Sequence, residues 1–283
     1  MTDGPHKDDG RGGFRQRGSA SLRRELSLLL AAAQFLTRLP LPAPPVWTVQ
    51  TPTACLRHLP LVGAGIGLAV GGVLVAASLI WPPGVAALLA LWASVALTGA
   101  LHEDGWADSC DGLWGHATRE RALEIMKDSR LGTYGVCGLV LMLGLRWALL
   151  TQISQGNTAL VLAVLVWAHA GSRALAVALM ALLPYAGDAQ ASKVSDWVNP
   201  PARLVAHAAL GAGLVLLGVA LVLLAAGLPL GGLVLPLGAW GLLLIGLRAG
   251  LRRRLGGYTG DTLGAAQQLG EAAALLVMTA LLL

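Results

Sequence analysis

Seven long apolar stretches, at roughly residues 61–80, 84–101, 133–151, 158–183, 204–228, 231–247 and 265–283, leave this chain few ways to fold. As helices they reach roughly 26–39 Å at about 1.5 Å per residue, which matches a hydrocarbon core of about 30 Å. Only 12% of the 283 residues are charged, against about 25% in a typical soluble protein. Backbone in lipid must satisfy its own hydrogen bonds, and a helix does so within one segment. The predicted fold is therefore all-α, a polytopic membrane helical bundle of about seven transmembrane helices. The last stretch carries Gln267, Gln268 and Glu271 near its start.

The connections sort by charge. The turn Trp81-Pro82-Pro83 holds none, nor do residues 152–157 or 229–232. The alternate connections hold nearly everything: the N-terminal tail with Arg57, then residues 102–132, 188–203 and 248–261. If successive helices alternate in direction, every charged connection falls on one face. Its excess of Lys and Arg makes that face cytoplasmic, with the C-terminus outside. The same bias accounts for the net charge of +5 without invoking nucleic acid. Residues 1–21 are Gly-, Arg-, Asp- and Ser-rich and read as a disordered basic cytoplasmic tail, leaving 22–283 as a single integral membrane catalytic domain. Residues 25–37 form an apolar helix too short to span, hence an interfacial or re-entrant one, stopped by Pro40, Pro42, Pro44 and Pro45. Cys55, Cys110 and Cys137 are too scattered for a disulfide framework or a structural zinc site.

The chemistry gathers on the charged face. In His102-Glu103-Asp104-Gly105-Trp106-Ala107-Asp108-Ser109-Cys110-Asp111-Gly112 the residues Asp104, Asp108 and Asp111 stand at i, i+4 and i+7. On a helix they share an arc of about 60°. Two carboxylates about 4 Å apart repel by roughly 4 kcal/mol at an effective dielectric near 20, so the group calls for a cation or a proton. Hard oxygen donors suit Mg²⁺ or Mn²⁺; the alternative is a solvated acidic loop. His102-Glu103 lacks the second His of a zinc-protease motif. Residues 119–130 place Glu120, Glu124, Lys127 and Asp128 on one helical face, opposite Leu123 and Met126, as an amphipathic surface helix would. His169 and Arg173 lie one turn apart inside the fourth stretch. An Arg there costs on the order of 3 kcal/mol unless it faces a polar interior, so it serves either a phosphate or a bundle carboxylate. Arg146 stands nearer the outer end of its stretch, where it can snorkel. Asp261 lies in the Gly-rich turn Gly256-Gly257-Tyr258-Thr259-Gly260-Asp261 and could complete a metal site. Trp106, Cys110 and His116 read as packing or loop residues. Carboxylates, a divalent ion and basic side chains together suit phosphoryl or phosphodiester transfer.

The chain also resembles the cobalamin synthases, or adenosylcobinamide-GDP ribazoletransferases. The resemblance rests on Gln34-Phe35-Leu36-Thr37-Arg38-Leu39-Pro40, on Thr98-Gly99 leading into the acidic motif, and on the run from Leu123 to Gly135. Ser172-Arg173-Ala174, Pro184-Tyr185-Ala186 and the Gly256–Asp261 turn with Gly264-Ala265 add to it. One departure is Ser109-Cys110, where a Thr-Ala-like pair is expected. The resemblance implies transfer of the cobinamide phosphate from adenosylcobinamide-GDP to α-ribazole or its 5′-phosphate. The products are adenosylcobalamin or its 5′-phosphate, and GMP. It implies Mg²⁺ and a bacterial cytoplasmic (inner) membrane location. Asp104, Asp108 and Asp111 are then expected as metal ligands, with Glu103 as ligand or base. Lys127, Arg130 and Arg173 are expected to hold the pyrophosphate, and Asp128 and Asp261 to touch metal or ribose.

Two other readings compete. CDP-alcohol phosphotransferases also set Asp-rich motifs around divalent ions, but Trp114-Gly115 stands where their Ala-Arg should follow Asp111-Gly112. An ion-coupled transporter would place its acids in mid-membrane.

Overall fold

The computed structural model describes residues 11–115, 118–187 and 201–282, with residues 11–20 and 282 by backbone alone. Helix α1 (Arg11–Leu36) is followed by a proline-rich link. Helix α2 (Thr51–Cys55) passes through one 3₁₀ turn into α3 (Leu59–Ser78). Then come α4 (Pro83–Thr98), α5 (Leu101–Leu113), α6 (Arg119–Lys127), α7 (Thr133–Ile153) and α8 (Thr158–Leu182). The chain ends with α9 (Ala202–Ala225), α10 (Leu230–Arg254) and α11 (Gly260–Leu282). Among the described residues there is no strand, only an isolated bridge between Tyr185 and Tyr258.

All seven apolar stretches are helical, but among the described residues fewer than seven qualify as spans. Five helical runs are long and apolar enough to cross a membrane: Thr51–Ser78, α7, α8, α9 and α10. A sixth counts if α4 and α5, bent by 90°, are taken together. The helix α11 is not among them, and its buried face carries Gln267, Gln268 and Glu271. Helix α1 starts at Arg11, so it takes in residues 11–21, which the sequence assigned to a disordered tail. Arg, Gln and Ala are compatible with helix, and the turn is continuous with an apolar half. That half packs laterally through Leu28, Ala31, Ala32 and Leu36, as an interfacial helix would. The carboxylate of Glu25 ties it to Arg57 and, at 3.2 Å, to His58.

Helix α8 is the centre of the bundle. Of its apolar window 72% is buried, against 17% for α9 and 22% for α10, which turn Leu210, Leu214, Leu221, Leu242 and Ile245 outward as a lipid face. Its closest neighbour is α3. Gly63, Gly67 and Gly71 recur every fourth residue there, and Gly63 and Gly67 rest on the carbonyl groups of His169 and Leu165. No side chain would fit between the backbones, which is the close small-residue packing that replaces hydrophobic drive in lipid. Helix α11 lies against α5 and α8 and brings its polar side chains into the interior.

Candidate active site

The site begins at the break between α4 and α5. Gly99 (φ 64°) and Ala100 (φ 59°) are both left-handed, which turns the chain through 90°. Gly99 also leaves room for Arg38, whose side chain lies where a Cβ would be and whose N–H donates to the Leu97 carbonyl at 2.8 Å. The first matched motif thus braces the start of the acidic helix. Helix α5 is too short to span alone and stands at the charged end of the bundle.

Glu103 lies about 100° around α5 from Asp104, and so it points elsewhere. It is buried and accepts from Arg146 at 2.9 Å and from Gln268 at 3.1 Å. Arg146 does not snorkel: it is 1% exposed and also donates to Glu271 at 2.6 Å and to Ser94 at 3.2 Å. Glu271 in turn accepts from Arg173 at 3.2 Å and from Gln267 at 2.6 Å, with the His169 ring 3.4 Å away. Two carboxylates and two guanidiniums therefore neutralise one another inside the bundle. Acids do lie deep here, and each has a basic partner. Of this network, sequence reading found Glu103, His169 and Arg173 but missed the roles of Arg146, Gln267, Gln268 and Glu271. The available signal was that ionised groups in apolar helices must find each other.

Above this network opens a cavity of about 390 Å³. It collects Asp104 from α5, Lys127 from α6, Arg173 from α8 and Asp261 from the start of α11, with His102 and Gln267 deeper in. Four sequence-predicted site residues thus meet on one wall system. The Gly-rich turn holds Asp261 in place. The N–H of Tyr258 donates to Pro184 at 2.9 Å and that of Ala186 to Tyr258 at 2.8 Å, which joins two of the matched motifs. Thr259 and Thr262 cap α11 reciprocally, at 2.8 and 3.2 Å. Gly105 lets the Asp261 backbone pack against α5, where a Cβ would meet its carbonyl oxygen at 2.8 Å. Two arginines clamp the surrounding loops: Arg119 donates to Leu255 at 2.7 Å, and Arg254 to Gly115 at 2.9 Å.

Five expected site residues do not line the cavity: Glu103, which is held in the buried network rather than placed as ligand or base, and Asp108, Asp111, Asp128 and Arg130. Asp111 accepts from the N–H groups of Gly132 and Gly135, each at 2.8 Å, and so caps the N-terminus of α7. Both of its oxygens are taken by these N–H groups, and among the described residues Asp104, Asp108 and Asp111 do not stand close enough to share an ion as placed. The helix α6 ends at Lys127, so Asp128 leaves the face it was expected to share. Instead it pairs with Arg130 at 2.6 Å, and the Arg130 side chain is 87% exposed. Neither lines the cavity. Leu123 and Met126 do line it. Trp106 and Cys110 pack toward Gly138 of α7 as expected of core residues; His116 lies outside the described residues.

Among the described residues no three His, Cys, Asp or Glu side chains stand close enough to share an ion as placed. The donor chemistry nonetheless fits a hard divalent cation. Asp108 is pushed up to about 7 by desolvation first, then by the charges of Asp261, Asp104 and Asp111. Mutual repulsion among carboxylates at a partly dry site is what an oxygen-preferring cation relieves.

Known proteins match nearly the whole chain. Residues 28–279 match the family described as Cobalamin-5-phosphate synthase. An adenosylcobinamide-GDP ribazoletransferase of Leptothrix cholodnii is 49% identical over 91% of this chain and 96% of its own. Those of Bradyrhizobium diazoefficiens and Shewanella frigidimarina are 43% and 38% identical, each over 93% of this chain and 97% and 98% of theirs. No solved structure matches.

Proposed function

The chain belongs to the cobalamin-5-phosphate synthase family, and from that premise we propose that its cavity joins cobinamide-GDP to α-ribazole or its 5′-phosphate. A ribose hydroxyl oxygen forms a bond to the phosphorus on the cobinamide side. The bond from that phosphorus to the bridging oxygen breaks, and GMP leaves with the electron pair. The hydroxyl proton passes to a carboxylate oxygen of Asp261 or Asp104. Lys127, exposed at the cavity mouth, offsets the phosphate charge that builds as the bond to GMP breaks, while Arg173, buried and paired with Glu271, forms the cavity floor. Asp104, Asp108 and Asp261 would hold Mg²⁺, which when bound neutralises phosphate charge and favours the ionised hydroxyl. Closing the site against lipid and water lets these charges act at low dielectric.

The observation that carries this reading is the convergence of Asp104, Asp261, Lys127 and Arg173, from four helices, on one cavity. The Lys and Arg excess at that end supports a cytoplasmic orientation in a bacterial inner membrane, where nucleotide-activated substrates are made. The test is purified protein in liposomes given both substrates and Mg²⁺. GMP release that requires α-ribazole supports it; transport of substrate with no GMP would replace it with a transporter.

A further inference from the structure

Taking that reaction as the premise, the two substrates differ greatly in size. The donor carries a corrin macrocycle with its side chains and a guanosine diphosphate. The acceptor is one aromatic base on one ribose. Cavities of about 300–1,000 Å³ hold drug-sized ligands, and this one, at about 390 Å³, is near the lower end. It has room for a nucleoside and none for a macrocycle.

Its lining agrees. Leu56 and Leu59 line it from the 3₁₀ turn and the start of α3, and Ala176, Val177 and Met180 from α8. At the inner end Arg173 is 2% exposed and is held by Glu271 at 3.2 Å. Asp104, Asp261 and Lys127 stand at the other end, where charge is found. An apolar slot of nucleoside size with a charged rim matches a flat, largely apolar aromatic base that carries a ribose.

We propose that this cavity is the acceptor subsite: the base of α-ribazole enters between Leu59, which precedes the close contact of α3 at Gly63 and Gly67, and Ala176, Val177 and Met180 of α8, and its ribose hydroxyls remain at Asp104 and Asp261. The corrinoid-GDP then meets the nucleoside at the mouth, with its macrocycle outside the bundle. The choice of lower-ligand base is made by Leu59, Ala176, Val177 and Met180.

The test is Ala176→Phe, which fills the slot from its half-buried wall. Its KM for α-ribazole should rise about tenfold or more, with KM for cobinamide-GDP within about twofold of the wild type. A rise confined to cobinamide-GDP, or no rise in either, overturns the proposal. Should Ala176→Phe fail to fold, Met180→Ala enlarges the slot instead. That variant should shift preference toward bulkier benzimidazole ribosides, and an unchanged order of preference counts against the subsite. Equilibrium dialysis of α-ribazole alone against wild-type protein in detergent separates this claim from the reaction itself. Saturable binding without corrinoid, weakened by either variant, supports the subsite even if no GMP is released. Absence of binding in an enzyme that does release GMP rejects it.

Discussion

Arg173 of α8 donates to the Glu271 carboxylate of α11 across 3.2 Å, directly beneath the cavity. The same carboxylate accepts from Arg146 of α7, so one acid joins three helices. Removing it leaves two buried guanidiniums short of a counter-charge. Breaking a buried ion pair from one side costs about 3–5 kcal/mol. Glu271→Ala should therefore lower the thermal midpoint of the detergent-solubilised protein sharply. Glu271→Gln, which keeps the shape but not the charge, should fall between that variant and the wild type. Equal midpoints for all three proteins would show that the network carries no stability.

Asp108 gives the pH dependence its sign. Its native carboxyl holds its proton up to about 7, while the ordinary value is 3.8. Between those values the native state binds more protons than the unfolded chain, so metal-free stability should decline as pH rises through that window. Mg²⁺ binds the ionised form. Its stabilising effect should be small at pH 5 and larger at pH 8, which thermal melts with and without Mg²⁺ would reveal. An Mg²⁺ effect of equal size at both values would remove Asp108 from the ion's ligands.

How far the sequence could see is clear from these residues. The apolar stretches were legible because lipid admits few alternatives, and α3, α7, α8, α9 and α10 lie where their composition put them. The Asp104 and Asp108 face was legible because both acids sit on one short helix. Glu271 was read only as a flaw in a span. Its partner Arg146 is 125 residues earlier, and nothing local shows that α7 and α11 face each other. Asp111 was misread for a related reason. Periodicity put it on the acidic face, but the N–H groups at the start of α7 lacked acceptors and claimed both of its oxygens. The 90° bend needed two consecutive left-handed residues, and Ala100 is not a residue from which that is read.

The acids of α5 should therefore separate by phenotype. Asp111→Ala removes a cap that accepts two backbone N–H groups, and caps are worth about 0.5–2 kcal/mol each. It should lower stability first and turnover only as a consequence. Asp108→Asn should do the reverse: turnover abolished, with membrane insertion and melting intact. Parallel melts and GMP-release assays distinguish the two. Near-normal turnover of Asp108→Asn at low Mg²⁺ would discard its place in the ion site.

Lys127 and Arg130 are three residues apart and both basic, yet they should not behave alike. Lys127 ends α6 with its side chain at the cavity, where Asp104 and Asp261 also stand. Arg130 is 87% exposed and folds back on Asp128, from which it accepts no constraint toward the site. An exposed pair of this kind is worth about 0–1 kcal/mol. Losing a cation that meets phosphate at a partly desolvated site removes more, about 2–4 kcal/mol if it acts in the transition state. Lys127→Ala should thus cut kcat/KM by about thirtyfold or more, while Arg130→Ala should change it by less than about fivefold. The comparison needs only steady-state GMP release from both variants in the same liposomes. If Arg130→Ala proves the more damaging, the pyrophosphate lies outside the cavity over the loop after α6, and the basic rim of the site has to be redrawn around Arg130.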